Sequence, residues 1–297
     1  MKNPVVICFG EVLWDLLPTG KIAGGAPMNV AYQTNNLGMR SRMISRLGSD
    51  ELGQALRAFL QEKGVSTDLV QTDPEYPTGI VNVTLDEKGI PSYEIVQPAA
   101  WDHIELTNEM LDTVANADAL VFGSLSCRSE HSKKTLLALL GKAPLRVFDV
   151  NLREPFYTQA LLEVLLPKAN IAKVNDIELD ILANWYGMKG GESEQMAALL
   201  KKFGFDRIIV TRGEHGAACL SSAGYCSVPG ISVKVQDTIG SGDAFLSGFL
   251  NQLFAGASDQ DCLRFANALG ALTATKAGGT PNISQEEIEQ FLNGVQS

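Results

Sequence analysis

Short, continuously apolar runs set between amphipathic stretches constrain this chain most. Ala119-Leu120-Val121-Phe122 and Ile208-Ile209-Val210 contain no polar residue. A strand with one wet face alternates apolar and polar residues, so unbroken apolar strands need cover on both faces. Between such runs, apolar residues recur at helical spacing. Leu52, Leu56, Phe59 and Leu60 do so within 50–63, and Gly64 is the stop. The pattern predicts strands at Val5–Phe9 and 42–47, with helices over 25–37 and 50–63. Further on it predicts helix 108–117, strand 119–125, helix 129–142, strand 146–150, helix 159–166, strand 171–174, helices 176–186 and 194–203, and strand 207–211. A strand pair at 217–221 and 224–227 precedes helices over 242–255, 260–276 and 285–292. The fold class is α/β: three layers, helix on sheet on helix, around a mostly parallel central sheet. In such sheets ligands bind beyond the carboxyl ends of the strands.

One region breaks the alternation. Residues 79–85 and 92–96 alternate with period two around Asp86-Glu87-Lys88-Gly89, which reads as a turn. This hairpin, carrying Tyr93, has one apolar face and forms a small β-strand lid. Insertions over roughly 12–23 and 78–100 supply that lid, and the whole of 1–297 reads as one α/β unit. Its apolar face also suits a second subunit, so a homodimer through the lid is an expectation.

Composition narrows the classes. Net charge is −10, which argues against a nucleic-acid or anionic-membrane binder. No apolar run approaches the ~20 residues of a spanning helix. The five cysteines are scattered, with no CxxC pair, which points away from zinc or disulfides and toward a reducing, cytoplasmic setting.

Five stretches carry candidate chemistry. Gly240-Ser241-Gly242-Asp243 precedes a helix in which Phe245, Leu246, Phe249, Leu250, Leu253 and Phe254 share a face. Two readings stand: a glycine-rich turn, or an anion site at a helix N-terminus with Asp243 placed to take a proton. Gly24-Gly25-Ala26-Pro27-Met28-Asn29 is either a tight turn or a close backbone approach to a polyol, with Asn29 and the upstream Asp15 pairing to hydroxyls. Asp149, Asn151 and Arg153 sit at alternate positions after a strand, which puts them on one side if the segment stays extended. Asn175 and Glu178 have the spacing of a capping box, the reading these residues favour on their own; groups orienting hydrated magnesium are the alternative. Thr211-Arg212-Gly213-Glu214-His215-Gly216 is a hairpin approach or the frame of a nucleotide. There is no GxxxxGK[ST] and no GxGxxG after the first strand.

Together the Gly24–Ala31 and Asp237–Asp243 stretches resemble the two signatures of the ribokinase-type (PfkB) carbohydrate kinase family, in that family's order. The resemblance covers essentially the whole chain, with Ser241 where alanine is more usual. It implies a ribokinase-like fold and ATP-dependent transfer of the γ-phosphoryl group to a sugar hydroxyl. Asp243 would be the general base, the N–H groups of Gly240, Ser241 and Gly242 the anion hole, and Arg153 a neighbour of the sugar or the transferred phosphate. Asp15, Gly25, Asn29 and Tyr93 would contact the sugar. Asn175, Thr211, Gly213, Gly216 and Asn267 would lie near ATP. Asn175 and Glu178 would hold Mg2+ through water, and Asp237 and Ile239 stand where a K+ would be held. The stretch 27–31 resembles fructokinases, as does the apolar and aromatic stretch 96–102, expected to close on the substrate. That implies D-fructose phosphorylated at its 6-hydroxyl. Ribose, 2-keto-3-deoxygluconate, a nucleoside, or a non-catalytic sugar sensor remain alternatives.

Overall fold

The computed structural model describes residues 3–18, 20–85 and 91–295. Its strands are β1 (Val5–Phe9), β2 (Leu13–Leu17), β3 (Gly20–Gly24), β4 (Arg40–Gly48), β5 (Val70–Asp73), β6 (Gly79–Leu85), β7 (Pro91–Ile95), β8 (Ala119–Gly123), β9 (Arg146–Asp149), β10 (Ile171–Asn175), β11 (Arg207–Thr211), β12 (Ala217–Ser221) and β13 (Gly224–Val228). Its helices are α1 (Ala26–Asn36), α2 (Glu51–Glu62), α3 (Asn108–Ala115), α4 (Glu130–Leu140), α5 (Gln159–Leu165), α6 (Asp176–Trp185), α7 (Glu192–Phe203), α8 (Ser241–Phe254), α9 (Asp259–Ala274) and α10 (Gln285–Val295).

Nine strands form the main sheet in the order β13-β12-β11-β10-β9-β8-β1-β4-β5. From β11 to β5 every neighbouring pair is parallel, and β12 and β13 add antiparallel pairs at one edge. Alternate residues of β1 feed opposite cores. Val6 and Cys8 join a cluster with residues of α1, α2, α8, α9 and α10. Ile7 and Phe9 join a cluster with residues of α3 to α7. Both sheet faces are therefore covered, as the unbroken apolar strands required.

Helix starts follow their capping residues. Asp50, Thr107, Ser129, Thr158, Asn175 and Ser258 each accept a backbone N–H of the turn that follows, satisfying a donor that the helix cannot.

The smaller sheet has four strands, β3-β2-β6-β7. The hairpin expected at 79–96 supplies β6 and β7; its Asp86–Gly89 turn lies outside the described residues. β2 and β3 fall in the 12–23 insertion expected to contribute to the lid, where no individual strands had been assigned; the edge strand β5 was not expected. Asp15 stands inside a strand, opposite Ile22. The strand expected over 119–125 stops at Gly123 and gives way to a short 3₁₀ turn at Leu125–Cys127. Among the described residues no helix is long and apolar enough to cross a membrane.

Candidate active site

Glu11 follows β1, and β9, β10 and β11 end at Asp149, Asn175 and Thr211. These residues share the carboxyl edge of the main sheet, and a cavity of about 550 Å³ opens there. Leu13, Asp15, Val81, Tyr93 and Ile95 of the small sheet line it from the other side. A second cavity of about 270 Å³ is lined by Gly213, Gly216, Ser241, Phe245 and Asn267, among others. Thr211, Thr238 and Gly242 line both. Two adjoining spaces beyond the carboxyl ends of the strands suit two ligands that must meet.

The meeting point is the start of α8. Gly240 is its N-cap at φ 75, and a methyl there would fall 2.6 Å from Gly279 Cα. Glycine is required on both counts. Gly242 and Asp243 lie in the first turn, where N–H groups lack helical partners and the dipole favours an anion. The Ser241 N–H is different: it donates to the Thr238 carbonyl at 3.2 Å. Of the three N–H groups expected to face an anion, that of Ser241 is already engaged.

Asp243 is buried, and its Oδ2 accepts a hydrogen bond of 2.8 Å from Asn29 Nδ2. The packing of α1 on α8 fixes this pair, with Ser247 Oγ donating to the Val30 carbonyl one helical turn away. Burial pushes the Asp243 carboxyl up to about 6; the charge of Asp149 adds to this, while Asn29, Lys173 and Arg153 oppose it. A carboxyl in that range is a base near neutrality that is not permanently committed to an ion pair. Gly25 opens α1 at φ 116, and a methyl on it would meet the Glu11 carbonyl at 2.4 Å. The tight turn there delivers Asn29 to Asp243.

Asp15 and Glu11 are also perturbed. Burial pushes Asp15 up to about 6 and Glu11 up to about 7, with Arg153 opposing both. Glu11 Oε2 and Asn29 Oδ1 are buried acceptors without a partner among the described residues, the kind of group a bound hydroxyl satisfies. Asp149 receives Lys173 Nζ at 2.9 and 3.1 Å. Burial alone would lower the Lys173 pKa, but the charges of Asp149, Glu178 and Asp243 outweigh it and raise it.

Asn175 and Glu178 form the reciprocal cap of α6. Glu178 Oε2 accepts from the Asn175 N–H and Oε1 from the Leu152 N–H. Each carboxylate oxygen retains an acceptor site, so water-mediated contact with a metal fits, while direct ligation would break a backbone bond. Among the described residues no group of three or more His, Cys, Asp or Glu side chains is arranged to hold a metal ion. Asp237 is used inside the chain. Its Oδ1 accepts from the Ile239 N–H and its Oδ2 from the Gly278 N–H, tying the α8 loop to the segment after α9.

Asp15, Gly25, Asn29, Tyr93, Arg153, Asn175, Glu178, Ile239, Gly240, Gly242 and Asp243 all line the larger cavity. Thr211, Gly213, Gly216, Ser241 and Asn267 line the smaller one. Asp237 lines neither. The segment after β9 does not stay extended: Asn151 has φ 40 and turns the chain. Asp149, Asn151 and Arg153 nevertheless all reach the larger cavity. The stretch 96–102 does not line either cavity. Trp101 is fully buried, with the Arg128 guanidinium 3.9 Å over its ring, and serves the core beneath the site. Two charged lining residues had no place among the expected site residues, Glu11 and Lys173. A lysine inside the apolar run Ile171-Ala172-Lys173-Val174 was the available signal for one of them.

An α/β sheet with two joined cavities, a buried carboxylate at their junction and a helix N-terminus beside it defines a group-transfer enzyme. The family described as "pfkB family carbohydrate kinase" matches residues 9–286, and the chain belongs to it. "Probable fructokinase-2" of Arabidopsis thaliana is 32% identical over 97% of this chain and 95% of its own length. Among solved structures, fructokinase with bound ATP from Xylella fastidiosa superposes with TM-score 0.86 at 25% identity, covering 99% of each chain. Fructokinase from Vibrio cholerae O395, in a fructose-, ADP- and calcium-bound form, gives 0.83 at 27% identity over 97% of this chain and 99% of that one.

Proposed function

We propose that the chain transfers the γ-phosphoryl group of ATP to the 6-hydroxyl of D-fructose. The observation that carries this is Asp243, buried, held by Asn29 and next to Gly242, a residue that lines both cavities. Relatives named as fructokinases along nearly the full length support fructose as the sugar.

In this reading the sugar occupies the larger cavity under the small sheet. Asp15, Asn29 and Glu11 meet its hydroxyls, Gly25 lets the backbone approach, and Tyr93 closes one side. The nucleotide enters the smaller cavity along Thr211, Gly213, Gly216 and Asn267. Asp243 takes the proton of the attacking hydroxyl. The N–H groups of Gly240 and Gly242 meet the transferring oxygens, with Arg153 adding charge from the sugar side. The Ser241 N–H joins them only by leaving the Thr238 carbonyl. Asn175 and Glu178 would hold Mg2+ through water, where it would supply positive charge to the phosphates. Asp237 and Ile239 would hold K+ beside the loop. Closure of the small sheet excludes water, which would otherwise compete as acceptor.

A cytoplasmic location and a homodimer through the outer lid face belong to the same proposal. A monomeric mass at working concentration would remove the dimer. ADP release measured with fructose, ribose, 2-keto-3-deoxygluconate and adenosine tests the substrate. The highest kcat/KM belongs to fructose if the reading holds, and saturable sugar binding without ADP release would replace it with a sensor.

A further inference from the structure

Lys173 is the third residue of β10 and only 6% exposed, between the buried Ala172 and Val174. A lysine in a central strand costs stability unless its charge is used. Two of its three N–H groups are taken up by the two carboxylate oxygens of Asp149, which leaves one donor. The side chain does not end in sealed core, because it lines the larger cavity. A methyl on Gly242 would lie 3.4 Å from Nζ, so the ammonium stands beside the first turn of α8. Gly242 is also a residue that both cavities share.

A helix N-terminus is the positive end of the dipole, and an ammonium beside it is repelled until an anion lies between them. A buried ion pair kept for stability alone has no need of this position, since apolar residues of similar size do as well. We propose that Lys173 is a further catalytic residue of this site, its free N–H meeting the γ-phosphoryl group as it passes between the two cavities. This rests on the ATP-dependent reading above. In the transfer, the bond from phosphorus to the ADP oxygen breaks, the bond to the sugar oxygen forms, and the hydroxyl proton goes to Asp243. Lys173 keeps its own protons throughout and contributes charge and one hydrogen bond.

The test compares binding of ADP and of the non-hydrolysable β,γ-imido analogue of ATP, both with Mg2+ and without sugar, in wild type, Lys173→Met and Lys173→Gln. The glutamine retains an N–H for Asp149 and is the variant chosen to stay folded, as read by thermal melting. Loss of a charge-assisted contact to the γ-phosphate weakens the analogue by about tenfold or more, while ADP affinity stays within about threefold. Turnover with fructose falls about 10²-fold or more. Equal loss of both nucleotides, no loss of either, or turnover near wild type overturns the role. The wild-type protein provides a measurement that does not depend on a variant folding. With 15N-labelled lysine, the Lys173 ammonium signal shifts when the imido analogue binds and stays in place when ADP binds; a signal that both nucleotides move alike, or leave unmoved, overturns the proposal. Wild type that binds neither nucleotide overturns the ATP-dependent reading and this proposal together. Normal wild-type binding with an unchanged ratio in the variants overturns the Lys173 role alone.

Discussion

Replacing Asn29 with alanine should move the pH dependence of the reaction by an amount the structure sets. Asn29 Nδ2 donates to Asp243 Oδ2 at 2.8 Å and favours the charged carboxylate. Burial holds that carboxyl at about 6 in spite of the bond. A hydrogen bond to a charged group contributes about 1.5–3 kcal/mol. At ~1.4 kcal/mol per pKa unit, losing it raises the Asp243 pKa by about one to two units. A base must be ionised to act, so activity rises with pH through that pKa. The assay is kcat/KM for the sugar between pH 5 and 9, which reports ionisations of the free enzyme. Wild type should show an acidic limb with its midpoint near 6. In Asn29→Ala the midpoint should lie at about 7–8. The variant also loses a proposed sugar contact, which lowers the whole profile without moving its midpoint. Substrate ionisations are common to both enzymes, so the difference carries the test. Coincident limbs would refute the claim that Asn29 tunes the base.

Three further outcomes follow from other parts of the structure. Arg128 pairs with buried Asp102 at 2.7 Å and stacks over Trp101; Arg128→Ala should cost about 3–5 kcal/mol in denaturant unfolding, because it leaves a buried charge unpaired. Glu11 and Asp243 have carboxyl pKa values raised by burial to about 7 and about 6. The folded chain therefore holds these protons more tightly than the unfolded one. Their stabilising contribution is complete below the ordinary carboxylate range and is lost as pH rises through 6–7. Glu11→Gln should accordingly melt higher than wild type at pH 8, and by a smaller margin at pH 5. Replacing K+ with tetramethylammonium should lower kcat at fixed Mg2+ if a cation sits at Asp237 and Ile239; unchanged kcat removes that site.

Much of the fold was legible because its strands are buried on both faces and its helices are capped by their own side chains. β8 and β11 announced themselves as unbroken apolar runs, and α6 through the Asn175–Glu178 spacing. β2 and β3 did not, since Leu-Trp-Asp-Leu-Leu and Gly-Lys-Ile-Ala-Gly lack period-two alternation and owe their extended form to pairing with each other and, for β2, with β6. β5, four residues at the sheet edge, has the same difficulty. Motif spacing singled out Gly25, Gly240, Gly242 and Asp243, which line the larger cavity. Lys173 and Glu11 were not, because their meaning depends on burial and on neighbours such as Asp149, 24 residues earlier than Lys173. The turn at Asn151 shows the limit from the other side: side chains expected to share a face through extension share a cavity through a left-handed kink instead.

Fructose-dependent ADP release by wild type and Asp243→Asn, side by side with fructose affinity, tests Asp243 as the base. Wild type should turn over, the variant should fall by at least ~10²-fold, and its fructose affinity should stay within a few-fold of wild type. Turnover by Asp243→Asn close to that of wild type would contradict a base role for Asp243.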